Sequence, residues 1–263
     1  MMNLDLRGRR ALVCGSTQGI GRACAMELAD LGASITLIAR DEDKLKATQA
    51  QLPTSSHQQH HYVRADFQQP DFLKAKISDY LSNYPQADIL VNNTGGPPAG
   101  PAYEAELDAF RQAFEMHIFC NQLLVQAVVP LMQQGQYGRI INIISTSVKE
   151  PIPGLGVSNT TRGAVANWAK TLSKELGEYG ITVNNVLPGS TSTERIWNLV
   201  SNRAAAQERS EEEVETEMKK AIPLRRFAQP EEIAYAVAFL ASPAAAYING
   251  TNLAVDGGKL GSA

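Results

Sequence analysis

An apolar run, Arg10-Ala-Leu-Val-Cys14, leads directly into Gly15-Ser-Thr-Gln-Gly19-Ile-Gly21 and then into a helical pattern. Few folds accept that arrangement. Glycines at 15, 19 and 21 let the chain turn tightly and bring its backbone close to an anion. A helix starting near Gly19 adds unpaired N–H groups and the positive end of its dipole. Strand, glycine turn and helix in this order suit a phosphate, and the ligand they point to is the pyrophosphate of a dinucleotide. The spacing is G-x-x-x-G-x-G rather than G-x-G-x-x-G, so a purely structural turn is the competing reading of this segment alone.

The remainder of the chain supports the first reading. Apolar, β-branched runs recur at Ala11–Cys14, Ser34–Ala39, Tyr62–Ala65, Asp88–Val91, Arg139–Ile144, Thr182–Val186 and Leu253–Val255, with helical segments between them. Several are apolar on successive residues, as strands buried on both faces of a parallel sheet are. This predicts an α/β fold: a single-domain, Rossmann-like, doubly wound parallel sheet of about seven strands with helices on both faces. A length of 263 residues without a composition break fits one domain spanning 1–263. Long helices are expected from about Glu104 to Met132 and from about Asn159 to Glu178. Both are apolar over wide arcs, which suggests a subunit contact as well as sheet packing.

Between Pro188 and Pro223 the character changes. The charge run Glu208-Arg-Ser-Glu-Glu-Glu-Val-Glu-Thr-Glu-Met-Lys-Lys220 reads most simply as a solvated helix face, and its place after a strand end suits a mobile substrate lid at about 188–223. A formal charge of −3 gives no electrostatic case for nucleic acid, and no apolar run is long enough for a membrane. The start of the chain lacks an apolar signal region, so a cytoplasmic location is expected. Cys14, Cys24 and Cys120 form neither a disulfide framework nor a zinc spacing. His57, His60 and His61 read as a solvated loop, and no metal site is assigned.

Several further segments carry a family likeness: Asp66 ending the third strand, Asn92-Asn93-Thr94-Gly95 after the fourth, Asn142-Ile-Ile-Ser145 after the fifth, Pro188-Gly189 after the sixth, and Ile248-Asn-Gly-Thr-Asn-Leu-Ala-Val-Asp-Gly-Gly258 near the end. With the glycine turn, they make the chain resemble the classical short-chain dehydrogenases/reductases over nearly its whole length, and among them the bacterial 3-oxoacyl-acyl-carrier-protein reductases. The resemblance implies that Gly15, Ser16, Thr17, Gln18, Gly19, Ile20 and Gly21 wrap the pyrophosphate and nearby ribose. It implies that Asp66 and Phe67 meet the adenine, Asn93, Thr94 and Gly95 its ribose, and Pro188, Gly189, Thr191 and Thr193 the nicotinamide carboxamide. Asp66 and Asn93 also suit plain backbone capping. Arg40, ending the second strand where an NAD enzyme places a carboxylate, favours NADP(H) over NAD(H), with Asp41 beside it as a competing charge. The implied substrate is a small carbonyl or alcohol compound, with an acyl thioester in view, and the implied assembly is a homotetramer or dimer.

The resemblance breaks at the chemistry. The family's Tyr-x-x-x-Lys pair transfers a proton at the substrate oxygen, beside a serine and an asparagine. Ser145 fits the serine. Thirteen residues on, the chain reads Ser158-Asn-Thr-Thr-Arg162, and His117 falls where the asparagine is expected. No tyrosine elsewhere has a lysine four residues later. A serine hydroxyl is a poor acid but donates a hydrogen bond as an oxyanion-hole residue does. Arg162 keeps a positive charge that suits the nicotinamide ribose, and with a pKa above about 12 it cannot shuttle protons. His117, with an ordinary pKa of about 6.5, is a candidate for a proton relay through water, against a plain backbone-supporting role where the helix kinks. Gly95–Pro101 and Glu150–Gly154 should wall the pocket. Two functions compete: an NADP(H)-dependent oxidoreductase with a nonstandard relay (Ser145, Ser158, Arg162, His117), and a cofactor-binding sensor or partner subunit that has lost turnover.

Overall fold

In the computed structural model, which describes residues 2–261, the expected strands form as β1 (Arg10–Cys14), β2 (Ser34–Ala39), β3 (His61–Arg64), β4 (Ile89–Asn92), β5 (Gly138–Ile143), β6 (Ile181–Pro188) and β7 (Asn252–Val255). They make one sheet in the order β3-β2-β1-β4-β5-β6-β7. Every neighbouring pair is parallel, with Leu12 of β1 registered between Thr36 and Leu90. The order reverses between β1 and β4, which opens a crevice at the carboxyl ends of those two strands. Both the glycine turn and Asn93 lie there.

Alternation along β1 shows why the sheet needs helices on both sides. Ala11 and Val13 face one core with Leu28 of α1 (Gly19–Asp30) and Val237 of α9 (Pro230–Ala241). Leu12 and Cys14 face the other, with Ile77 of α3 (Pro70–Asn83), Leu124 of α5 (Cys120–Gly135) and Leu172 of α6 (Gly156–Glu175). Successive side chains of a strand point to opposite faces, so an unbroken apolar run fills two cores at once. The three cysteines are buried in these cores as free thiols. Helix α2 (Glu42–Gln49) follows β2 and brings its first turn to the sheet's carboxyl edge.

A ladder of four asparagines, three of them buried, crosses the sheet near the same edge. Asn92 Nδ2 donates to Asn142 Oδ1 at 2.9 Å, Asn142 Nδ2 to Asn185 Oδ1 at 2.9 Å, and Asn185 Nδ2 to Asn252 Oδ1 at 2.7 Å. These are registered partners on β4, β5, β6 and β7. Four strands are thereby clamped directly beneath the loops that carry Asn93, Ser145 and Pro188.

Two expectations need correction. The helix expected from Glu104 to Met132 is divided: α4 (Leu107–Phe114) passes through one π-type turn, Glu115–Phe119, into α5. Such turns leave backbone groups out of the regular ladder and recur at functional sites; here the turn carries His117. His60, read as part of a solvated loop, is half-buried. Its Nδ1 accepts from the Ile35 amide at 3.0 Å and its Nε2 lies 2.8 Å from the Pro53 carbonyl, tying the loop to β2. The second long helix begins at Gly156 and ends at Glu175.

The segment after β6 forms α7 (Glu194–Gln207) and α8 (Glu211–Lys220), joined by small cores of their own: Val200, Ala204 and Val214, and Ile196, Ile222 and Phe227. Ser210 and Glu213 close a capping box that starts α8. The charge run lies on the outer face of α8, with Val214 turned inward. No helix among the described residues is long and apolar enough to cross a membrane.

Candidate active site

A cavity of about 900 Å³ opens over the carboxyl edge of the sheet, from the end of β2 across the glycine turn to α6 and α7. Of the residues expected in the site, all but Ser16, Gly21 and His117 line it. At one end lies the glycine turn. Gly15 sits at φ +59°, and a Cβ on Gly21 would stand 2.1 Å from the Gly15 carbonyl oxygen, so the turn closes only with glycine at both places. Asn93 Nδ2 donates to the carbonyls of Cys14 at 3.2 Å and Gly15 at 3.4 Å, which holds the turn against the end of β4. Helix α1 has no side-chain cap at Gln18. Its first N–H groups therefore remain available in front of the turn, where Gly19 and Ile20 line the cavity.

Charge at this end is cationic and uncommitted. Arg40 is exposed at the cavity rim and makes no ion pair among the described residues. Asp41 does not compete for it, because its Oδ1 caps α2 by accepting from the Lys44 amide at 3.0 Å. Lys44, on the first turn of α2, lines the same wall and adds a second cation. Asp66 accepts from the Gln68 amide at 3.0 Å, and Phe67 is buried beside it. Ser16 corrects an expectation: its hydroxyl is buried and accepts from the Ile38 amide at 3.1 Å, so the residue supports the turn from beneath instead of facing a ligand.

The opposite end gathers Ser145, Ser158 and Arg162. Ser145 follows β5, and its Oγ accepts from the Ser147 amide at 3.1 Å. Ser158 and Arg162 stand one turn apart on α6, both buried and both facing the cavity. One guanidinium nitrogen of Arg162 donates to the Ile143 carbonyl at 3.0 Å. Burial, and then the like charge of Arg195, push its pKa down to about 10, which leaves it protonated at neutral pH. Arg195 follows at the start of α7, lines the cavity and is exposed on that side.

His117 is 2% exposed, and its Nδ1 lies 2.9 Å from the Thr94 hydroxyl. Its Nε2 is buried with no hydrogen-bond partner among the described residues. Burial, reinforced by the charges of Arg162 and Arg195, pushes its pKa down to about 2. The ordinary value near 6.5 that recommends it as a relay acid does not survive in this environment.

The two anticipated walls are joined. Gly100 N donates to the Gly154 carbonyl at 2.7 Å, and Gly156 N to the Gly100 carbonyl at 3.0 Å. Gly96, Ile152 and Leu155 from these walls line the cavity. Glu150 lies outside it, with its Oε1 accepting from the Gly261 amide at 2.9 Å. Sequence reasoning missed Lys44, Arg195 and the asparagine ladder. Lys44 had a signal, five residues past the end of β2 in an acidic, capped helix start. The ladder had one too, an asparagine recurring in four successive strands, at Asn92, Asn142, Asn185 and Asn252. Arg195 had none, because helix α7 alone decides where it lies.

A parallel sheet with its order reversed over a glycine turn and an uncapped helix N-terminus defines a dinucleotide-binding α/β protein. The comparisons make this specific. Residues 15–259 match the family model described as enoyl-(acyl carrier protein) reductase, and the chain belongs to the short-chain dehydrogenase/reductase family of oxidoreductases. It is 32% identical to the uncharacterized oxidoreductase YvaG of Bacillus subtilis, over 99% of each chain. It is also 32% identical to a 3-oxoacyl-[acyl-carrier-protein] reductase of Synechocystis, over 97% of this chain and 98% of that one. Among solved structures, the L-sorbose reductase of Gluconobacter frateurii complexed with NADPH and L-sorbose superposes with a TM-score of 0.93 at 29% identity, covering all of both chains.

Proposed function

We propose that this chain is an NADP(H)-dependent reductase that interconverts a carbonyl and an alcohol without a Tyr-x-x-x-Lys pair, Ser158 and Arg162 standing in those two places. The observation that carries the reading is the single cavity joining a cationic cradle for a phosphorylated dinucleotide to a buried cation and two hydroxyls. The residues fit the cofactor: the first-turn amides of α1 would hold the pyrophosphate, and Arg40 with Lys44 a 2′-phosphate. When bound, NADPH supplies the hydride.

Ser158 and Ser145 hold the substrate carbonyl by donating hydrogen bonds to its oxygen. Arg162, dehydrated and fixed on the Ile143 carbonyl, stabilises negative charge as it develops on that oxygen. The proton that completes the alcohol comes from solvent through the open cleft, while Ser158 keeps its own proton and donates a hydrogen bond. His117 is neutral and acts as a positioning residue, fixing Thr94 and with it the loop before Gly95. Helices α7 and α8 carry Leu199, Arg203 and Met218 to the cavity and act as its lid. The exposed Tyr103, Leu107 and Phe119 near α4 and α5 support a homo-oligomer.

The test is NADPH oxidation against 3-oxoacyl thioesters, sugars, oxo acids and small ketones, each compared in the wild type and in Ser158→Ala. A turnover that Ser158→Ala lowers by about tenfold to a hundredfold, with NADPH affinity unchanged, is expected for the loss of one donor to a developing charge. Tight NADPH binding with no turnover on any of these compounds would favour the sensor or partner-subunit reading.

A further inference from the structure

The cavity is lined by six cationic side chains and four carboxylates, and each of the four carboxylates is already engaged by another group. Asp41 caps α2, Asp66 holds the Gln68 amide, Glu194 accepts from Gln18 at 3.0 Å, and Glu217 pairs with Arg209 at 2.5 Å. Arg162 and Arg195 consequently face the cavity with no carboxylate partner among the described residues. Arg162 has one backbone carbonyl; Arg195 has no side-chain hydrogen bond among the described residues.

Arg195 also packs against the wall loop. The guanidinium lies flat over Gly96: a Cβ there would stand 2.6 Å from its carbon and from both terminal nitrogens. Gly96 belongs to the wall loop that follows Asn93–Gly95 and lines the cavity. The charge of Arg195 is felt at that end, because it depresses the pKa of both Arg162 and His117. Two like charges brought together in a partly dehydrated pocket repel, and an anion between them relieves the repulsion.

We infer that Arg195, backed by Gly96 and paired with Arg162, is a specificity-determining residue that receives the carboxylate of a small oxo-acid substrate. This rests on the reductase reading given above. The reaction is then the two-electron reduction of an oxo acid to a hydroxy acid, with hydride from NADPH and a proton from solvent. A planar guanidinium suits a carboxylate in a bidentate fork, and anchoring the acid group fixes the distance of the carbonyl from Ser145 and Ser158. The same chemistry would also meet a phosphate of the cofactor, and the test separates the two.

Oxamate and 2-oxoglutarate are titrated by calorimetry into the protein saturated with NADP+, with uncharged L-sorbose as control, for the wild type, Arg195→Met, Arg195→Lys and Gly96→Ala. NADPH affinity is measured on each by fluorescence. At least one of the two acids should bind the wild type, weaken roughly tenfold or more in Arg195→Met, and recover in part in Arg195→Lys, as loss and partial return of a charge-assisted hydrogen bond require. Gly96→Ala keeps every charge but pushes the guanidinium aside, and should weaken the acid by about threefold or more. NADPH affinity should change less than about threefold throughout. Wild type that binds neither acid, or acid binding equal in all variants, overturns the inference while leaving NADPH binding intact. An NADPH affinity that falls in Arg195→Met while acid binding holds assigns the arginine to the cofactor's phosphate. Wild type that fails to bind NADPH overturns the reductase reading itself, and this inference with it.

Discussion

The two ends of the cleft are built on opposite principles. At the glycine turn nearly every polar side chain is already used inside the protein: Ser16 on Ile38, Asn93 on Cys14 and Gly15, Asp41 on Lys44, Asp66 on Gln68. What remains for a ligand is backbone N–H and the two cations Arg40 and Lys44. At the other end polar groups are left open among the described residues: Arg195 without a side-chain hydrogen bond or ion pair, Arg162 with one carbonyl, and the Nε2 of His117 buried and unmatched. A binding end that is satisfied in advance has one shape, whereas an end that carries unspent polarity is completed by its ligand. The first is therefore sensitive to added volume, and the second to changed charge.

Breaking the satisfied end should have the largest effect on cofactor binding. Gly21→Val places a side chain against the Gly15 carbonyl, and NADPH affinity should fall by about a hundredfold or more, near 3 kcal/mol, as fluorescence titration would show. Unchanged affinity would mean that the turn does not hold the cofactor. Beneath the site, Asn142→Ala removes the middle rung of the asparagine ladder and strands its two neighbours in the core. Urea unfolding should show a loss of about 2–4 kcal/mol, because two buried polar groups lose partners. A loss below about 0.5 kcal/mol would make the ladder incidental.

His117 supplies a prediction with a defined sign. Its pKa is depressed in the folded protein, so between that value and about 6.5 only the unfolded chain binds the proton, and stability falls as pH falls below about 6.5. At pH 5 this amounts to about 2 kcal/mol, and His117→Asn should remove that part of the pH dependence. Equal slopes for the two proteins would contradict a buried neutral imidazole. Smallest is the coenzyme choice: Arg40→Ala should reduce the preference for NADPH over NADH by about tenfold, measured as the ratio of dissociation constants. Lys44 keeps the effect from being larger.

The same division explains how much was legible in the sequence. The sheet could be read strand by strand, because residues such as Leu12 and Val13 must serve opposite cores and so announce a buried strand. The cofactor end was legible from Gly15, Gly19, Gly21 and Arg40, since glycine and charge are needed there by type. Ser16 was misplaced because a hydroxyl in a turn serves equally well facing out or capping inward, and only the Ile38 amide decides. The break at Glu115–Phe119 was foreseen only as a kink at His117 that the family resemblance implies; the apolar helical pattern does not mark it, nor the burial that neutralises His117. Arg195 lies opposite Gly96 through the folding of α7, a relation between distant segments that no local pattern encodes.

The central claim is that this chain reduces a carbonyl with Ser158 and Arg162 in the two places where the family resemblance implies tyrosine and lysine. Its most direct test is steady-state NADPH oxidation, with the alcohol identified, in the wild type, in Arg162→Met and in Ser158→Tyr/Arg162→Lys. The account predicts turnover by the wild type on at least one carbonyl compound, and a fall of about a hundredfold in Arg162→Met at unchanged NADPH affinity. Turnover absent from the wild type and present only in Ser158→Tyr/Arg162→Lys would contradict it.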